Sequence, residues 1–81
     1  MDREAMREWL KRRPFQPFRV YVADGRIYDV RHPRTNLLAY TYINIGVPAP
    51  DLPASVCDHT EYVALKDITR VEPLPASVID N

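Results

Sequence analysis

Phe18-Arg19-Val20-Tyr21-Val22-Ala23-Asp24-Gly25-Arg26-Ile27-Tyr28-Asp29-Val30 is the stretch from which the fold is read. Phe18, Val20 and Val22 alternate with polar residues, the period of a strand with one buried face. Asp24-Gly25 then signals a hairpin. The loop length follows from parity. A two-residue loop sets Val22 opposite Ile27 but Val20 opposite Asp29, which buries a carboxylate. A three-residue loop, Ala23-Asp24-Gly25, sets Val20 opposite Tyr28 and Phe18 opposite Val30. It keeps the apolar side chains on one face and puts Gly25 where a type I turn with a bulge needs a left-handed residue. A one-residue slip would invert the whole face, so the three-residue loop is expected.

Before the hairpin, residues 2–13 read as a helix. Asp2 can cap it, and Ala5, Met6, Trp9 and Leu10 form one apolar stripe. Glu4 precedes Arg7, and Glu8 precedes Lys11 and Arg12, at spacings that let opposite charges meet. Lys11-Arg12-Arg13 suits the C-terminal end of the helix dipole, and Pro14 stops the helix. So short a helix must cover something apolar. It is expected to lid the strands. The alternative is that Trp9 and the basic run dock a partner.

After the hairpin, His32-Pro33-Arg34-Thr35-Asn36 is a turn by composition. A long third strand, Leu37 to Ile45, is expected next, with Gly46 ending it. Leu38, Tyr40 and Tyr42 would share one face, and Leu37, Ala39, Ile43 and Ile45 the other. A strand apolar on both faces is buried on both sides, bent to serve two sheets, or paired with another subunit. Val47 to Ser55 read as a Pro-rich loop. A fourth strand covers Tyr62 to Leu65, with a start as early as Val56. Lys66-Asp67 is a tight turn, and Ile68 to Glu72 a short last strand. The eight prolines fall between elements, as their missing N–H requires. The 81 residues are read as one domain: helix 2–13, barrel 18–72, flexible tail 73–81. The expected class is mainly β with one N-terminal α-helix, folded as a small five-stranded SH3-like barrel.

Three segments resemble the Sm-like family. Val20-Tyr21-Val22-Ala23-Asp24-Gly25-Arg26 is similar to the opening of its first signature. His32-Pro33-Arg34-Thr35-Asn36-Leu37-Leu38 is similar to the close, with His32 for Asp, Thr35 for Met, and Asn36 matching. Val63-Ala64-Leu65-Lys66-Asp67-Ile68-Thr69-Arg70-Val71 is similar to the second signature, with Lys66-Asp67 in place of Arg-Gly. The resemblance implies a barrel whose exposed strand edges extend a sheet between subunits. It also implies a single-stranded RNA base pocket at His32, Asn36 and Lys66. An Asn amide can read a base edge, a His ring can stack on one, and a Lys can meet phosphate. Asn and Lys are equally at home as turn residues. The chain also resembles short bacterial proteins that share Arg13-Pro14-Phe15-x-Pro17-Phe18 and Asp24-Gly25-Arg26, which implies no function.

Eleven basic and eleven acidic residues leave a formal net charge of zero, without the cationic excess of a general nucleic-acid binder. The charge is uneven: residues 1–34 carry net +4 and residues 35–81 net −4. That asymmetry fits a basic patch, or pairing between the halves inside the fold or head to tail between subunits. No apolar run is long enough to span a bilayer. The opening residues lack a signal-peptide pattern, and the lone Cys57 suits the cytoplasm. Two glycines exclude a Gly-rich phosphate loop. Cys57-Asp58-His59 lacks the spacing of a metal or nucleophile motif, so no cofactor, metal or catalytic role is expected. The expected function is a non-catalytic protein-interaction or self-associating module. The alternative is single-stranded RNA binding. The candidate contact residues are His32, Arg34, Asn36, Lys66, Arg19 and Tyr21, with Tyr21 facing outward beside Arg19.

Overall fold

A computed structural model describes residues 1–52 and 56–75 of the chain. Helix α1 (Arg3–Lys11) is followed by β1 (Phe18–Val22), β2 (Ile27–Val30), β3 (Asn36–Leu38), β4 (Tyr42–Pro48), β5 (Cys57–Ala64) and β6 (Ile68–Pro73). The protein is mainly β with one N-terminal helix.

The opening hairpin has the register that parity requires. Phe18 pairs with Val30, Val20 with Tyr28 and Tyr21 with Ile27. The Gly25 N–H donates to the Val22 carbonyl at 2.9 Å, and Gly25 sits at φ +98°. That is the left-handed conformation in which a side chain would be strained. Asp2 caps α1 by accepting from the Ala5 N–H at 2.8 Å. The helix stops at Lys11, with Arg12 already extended.

The expected closed five-stranded barrel does not form. Among the described residues six strands make two separate antiparallel sheets, ordered β2-β1-β6 (sheet A) and β3-β4-β5 (sheet B). The difference arises at the strand expected from Leu37 to Ile45. The chain turns back at residues 39–41, the Ala39 N–H donates to the Tyr42 carbonyl at 2.8 Å, and Leu38 pairs with Ile43. A bent strand serving both sheets would have closed a barrel; a hairpin keeps both arms in one sheet. Gly46 does not end the strand either. It lies buried inside β4, opposite Thr60. A Cβ there would collide with the Thr35 carbonyl oxygen and the Cys57 Sγ, so the close approach of chain requires glycine.

Between the sheets the chain crosses on two short 3-10 turns, Pro33–Thr35 and Leu65–Asp67. The inner faces supply one core: Phe18, Val20, Val22, Val30 and Ile68 from sheet A, Ile43, Ile45 and Val63 from sheet B, with Leu65 and Met6. Trp9 and Phe15 stack against Phe18 with centroids 5.1 and 6.0 Å away, so α1 and the segment after it close one side of the sandwich. Pro73, expected in the tail, belongs to β6. Leu74 is buried, and its N–H donates to the Pro17 carbonyl at 2.9 Å. Residues 53–55 of the Pro-rich loop and 76–81 of the tail lie outside the described residues.

Candidate functional site

Alternation along each strand sends half of its side chains into the core and half outward. The two outward faces differ in chemistry, and the candidate residues sort between them.

On sheet A the outward residues are Ile27 and Asp29 of β2, Arg19 and Tyr21 of β1, and Arg70 and Glu72 of β6. Arg19 grips Asp29 with two hydrogen bonds, Nε to Oδ1 at 2.7 Å and Nη2 to Oδ2 at 3.2 Å. Arg31 approaches the same carboxylate at 3.5 Å. The Tyr21 hydroxyl donates to Glu72 Oε2 at 2.5 Å, Arg70 pairs with Glu72 Oε1, and the Arg70 guanidinium lies 4.9 Å from the Tyr21 ring centroid. The bond to Asp29 holds the Arg19 guanidinium well above its ordinary pKa. The Tyr21 hydroxyl, then Arg70, hold the Glu72 carboxyl below its own. Arg19 and Tyr21 are thus brought together, as parity demands, but their polar atoms are engaged within the sheet.

Sheet B presents different chemistry. Between the Ala39–Thr41 turn and the bulge in β5 its outward residues are Leu37 of β3, Tyr42 and Asn44 of β4, and Thr60, Tyr62 and Ala64 of β5, none of them charged; the exposed carboxylate of Asp58, at the bulge, borders them. Leu37 is 63% exposed and Tyr62 57%. The Tyr42 and Tyr62 rings tilt against each other with centroids 5.0 Å apart. At the Tyr42 end the face opens into a groove of about 710 Å³, whose walls include Tyr40, Tyr62, Leu65, Met1, Arg3 and Lys66. Tyr40, 78% exposed, lies 5.3 Å beneath the Arg3 guanidinium.

The pocket expected at His32, Asn36 and Lys66 is not assembled. Asn36 spends its amide within the fold: Nδ2 donates to the His32 carbonyl at 2.8 Å, and Oδ1 accepts the Gly46 N–H at 3.4 Å. Thr35 Oγ1 donates to the same His32 carbonyl at 3.1 Å. These bonds fix the turn on which Arg34 is exposed. Lys66 stands elsewhere, on the second 3-10 turn, with its side chain 87% exposed and 3.8 Å from Asp67. Asn36 pairs with Ile45 and Ala64 with Tyr42, so Lys66 lies beyond a stretch of β4 roughly 10 Å long.

A chain of polar contacts joins the two sheets along the side opposite α1. Arg26 Nε bonds Asp24 Oδ2 at 2.7 Å, and Arg26 Nη1 bonds the Tyr28 hydroxyl at 3.1 Å. The same Nη1 lies 3.9 Å from Glu61. The Tyr28 hydroxyl and then Asp24 raise the Arg26 pKa, and the Arg26 backbone N–H lowers that of Asp24. His59 sits between Asp58 and Glu61, with each ring nitrogen 2.9 Å from a carboxylate oxygen. Those hydrogen bonds, Asp58 first, raise its pKa. His59 thereby faces two carboxylates, while Cys57 Sγ lies against Gly46. Among the described residues no group of three or more His, Cys, Asp or Glu could hold a metal ion. No helix among them is long and apolar enough to cross a membrane.

Sequence reasoning named Arg19 and Tyr21 but missed the face of Leu37, Asn44 and Tyr62. The signal was the apolar character of both sides of the 37–45 segment, for which a second subunit was one explanation. Comparison with protein-family models, with curated proteins and with solved structures gives no match.

Proposed function

We propose that this protein is a non-catalytic protein-interaction module that docks on the outer face of sheet B. One observation carries this reading: six outward positions without a charge, two of them an exposed leucine and an exposed tyrosine, continuous with a tyrosine-walled groove. Interface centres are depleted in charge and rich in tyrosine, and an apolar patch left in water favours association. The His32 turn and Lys66 lie apart, and the Asn36 amide is already bonded, so nothing in the geometry favours the RNA reading over this one.

The test is a photo-crosslinking residue placed at Tyr62 on sheet B or at Tyr21 on sheet A. Protein adducts are expected from position 62 and not from 21, and Leu37→Lys should abolish them. Equal adducts from both positions, or adducts removed by ribonuclease, would overturn the proposal. A steep fall of RNA affinity with salt, sensitive to Lys66→Ala on its exposed turn, would restore the RNA reading.

A further inference from the structure

We infer that the occupant of the outer face of sheet B is the same face of a second copy of this chain, in a two-fold dimer that dissociates on dilution. This rests on the reading of that face as a docking surface. A two-fold interface sets a patch against itself, so any charge near the axis meets its own copy. The outward positions Leu37, Tyr42, Asn44, Thr60, Tyr62 and Ala64 contain no charge; the next residue of that parity on β5, Asp58, lies at the bulge on the margin of the patch and is bonded to His59. The polar groups that do occur there, two phenols, a hydroxyl and an amide, each both donate and accept hydrogen bonds. A group of that kind satisfies its own copy, which a guanidinium or a carboxylate cannot do.

The rim is compatible with the same pairing. The groove beside Tyr40 carries Arg3 and Lys66 together with Asp2 and Glu4, so a second copy finds both signs at its edge. Sheet A lacks this self-complementarity. Its Arg19, Asp29, Arg70 and Glu72 are partnered within the sheet, and stacking that face on itself would desolvate those pairs without new partners. Area sets the strength. Three strands about 4.8 Å apart, over about five residues of about 3.3 Å, give a patch of roughly 15 by 17 Å. Even with the groove walls added, this falls short of the about 800 Å² per partner of a standard stable interface. A weak dimer is the consequence.

Sedimentation velocity on the purified chain, from about 1 µM to about 500 µM, tests this in the range where interfaces below standard size populate. The mass should rise from one chain toward two. Leu37→Arg and Tyr62→Arg should each weaken association at least tenfold, and Asn44→Asp should do the same by placing like charges across the axis. Circular dichroism and thermal melts of these variants should match the parent, because the sites are on the surface. Ile27→Arg, on sheet A, should leave association unchanged. A chain that stays monomeric throughout, or a dimer indifferent to all three sheet B variants, overturns the inference. If the chain is monomeric and Tyr62 crosslinks to a different protein in a Leu37-dependent way, the second copy is wrong and the docking face stands. If neither association nor a crosslink is found, both fall.

Discussion

The outward faces of sheets A and B are each built from three antiparallel strands, yet they solve the problem of contact with water in opposite ways. Apart from Ile27 at its edge, which is 54% exposed, sheet A covers itself with charge and partners that charge internally: Arg19 with Asp29, Arg70 and Tyr21 with Glu72. Sheet B leaves Leu37 and Tyr62 standing in solvent among uncharged neighbours. Charged side chains alone therefore do not mark a binding face. Arg19 and Tyr21, the candidates on sheet A, lie where their bonding capacity is filled, and the face with unfilled capacity is uncharged.

The comparison is broken most severely from the core that both sheets share. Phe18 is fully buried and meets Trp9 and Phe15, so Phe18→Ala should cost about 3–5 kcal/mol in urea denaturation and degrade both faces together. Gly46→Ala should cost about 1–3 kcal/mol, since the new methyl must displace the Thr35 backbone or Cys57. Its effect should centre on sheet B, read as faster amide exchange around residues 36 and 46, with the Arg19–Asp29 region protected as before. Leu37→Ala should change stability by no more than about 0.5 kcal/mol, while lowering association.

Smaller effects sharpen the contrast on the polar side. Glu72 has a folded pKa below its ordinary 4.5, so its contribution to stability is present above that value and is lost as pH falls through the folded one. Tyr21→Phe removes the largest cause of the depression. The Glu72 carboxyl should then titrate closer to 4.5 in NMR, and the acid-side loss should shrink. His59 has the opposite sign. Its folded pKa is raised above 6.5, so its contribution is full below 6.5 and is lost as pH rises through the folded value. Melting temperature should fall slightly across that window in the parent and not in His59→Gln. The group is exposed, so this is the smallest effect of the set.

Much of sheet A was legible because its signals are local. Asp24-Gly25 fixes a turn, and the parity of Phe18, Val20, Tyr28 and Val30 fixes the register that the structure has. The helix and its Asp2 cap were legible for the same reason. Sheet B was misread at one point. The turn at Ala39-Tyr40-Thr41 contains no Gly, Pro, Asn or Asp, so no residue there announces a reversal. Read as one strand, the segment puts Leu38 with Tyr42 and Leu37 with Ile43. The turn resets the parity, so Leu38 joins Ile43 in the core and Leu37 joins Tyr42 outside. With that parity went both the bent strand of the expected barrel and the docking face. Asn36 shows the other limit. Its residue type suits base reading and turn closure equally, and only the bonds to His32 and Gly46 show that its amide closes a turn.

The contrast between the faces is tested most directly by backbone amide shifts in NMR as the purified chain is diluted. Concentration-dependent shifts gathered at Leu37, Asn44, Thr60 and Tyr62, with Arg19, Asp29, Arg70 and Glu72 silent, are what the two faces require. Shifts centred on the charged face of sheet A would contradict that contrast, and no shift at any concentration would contradict the second copy as the occupant of sheet B.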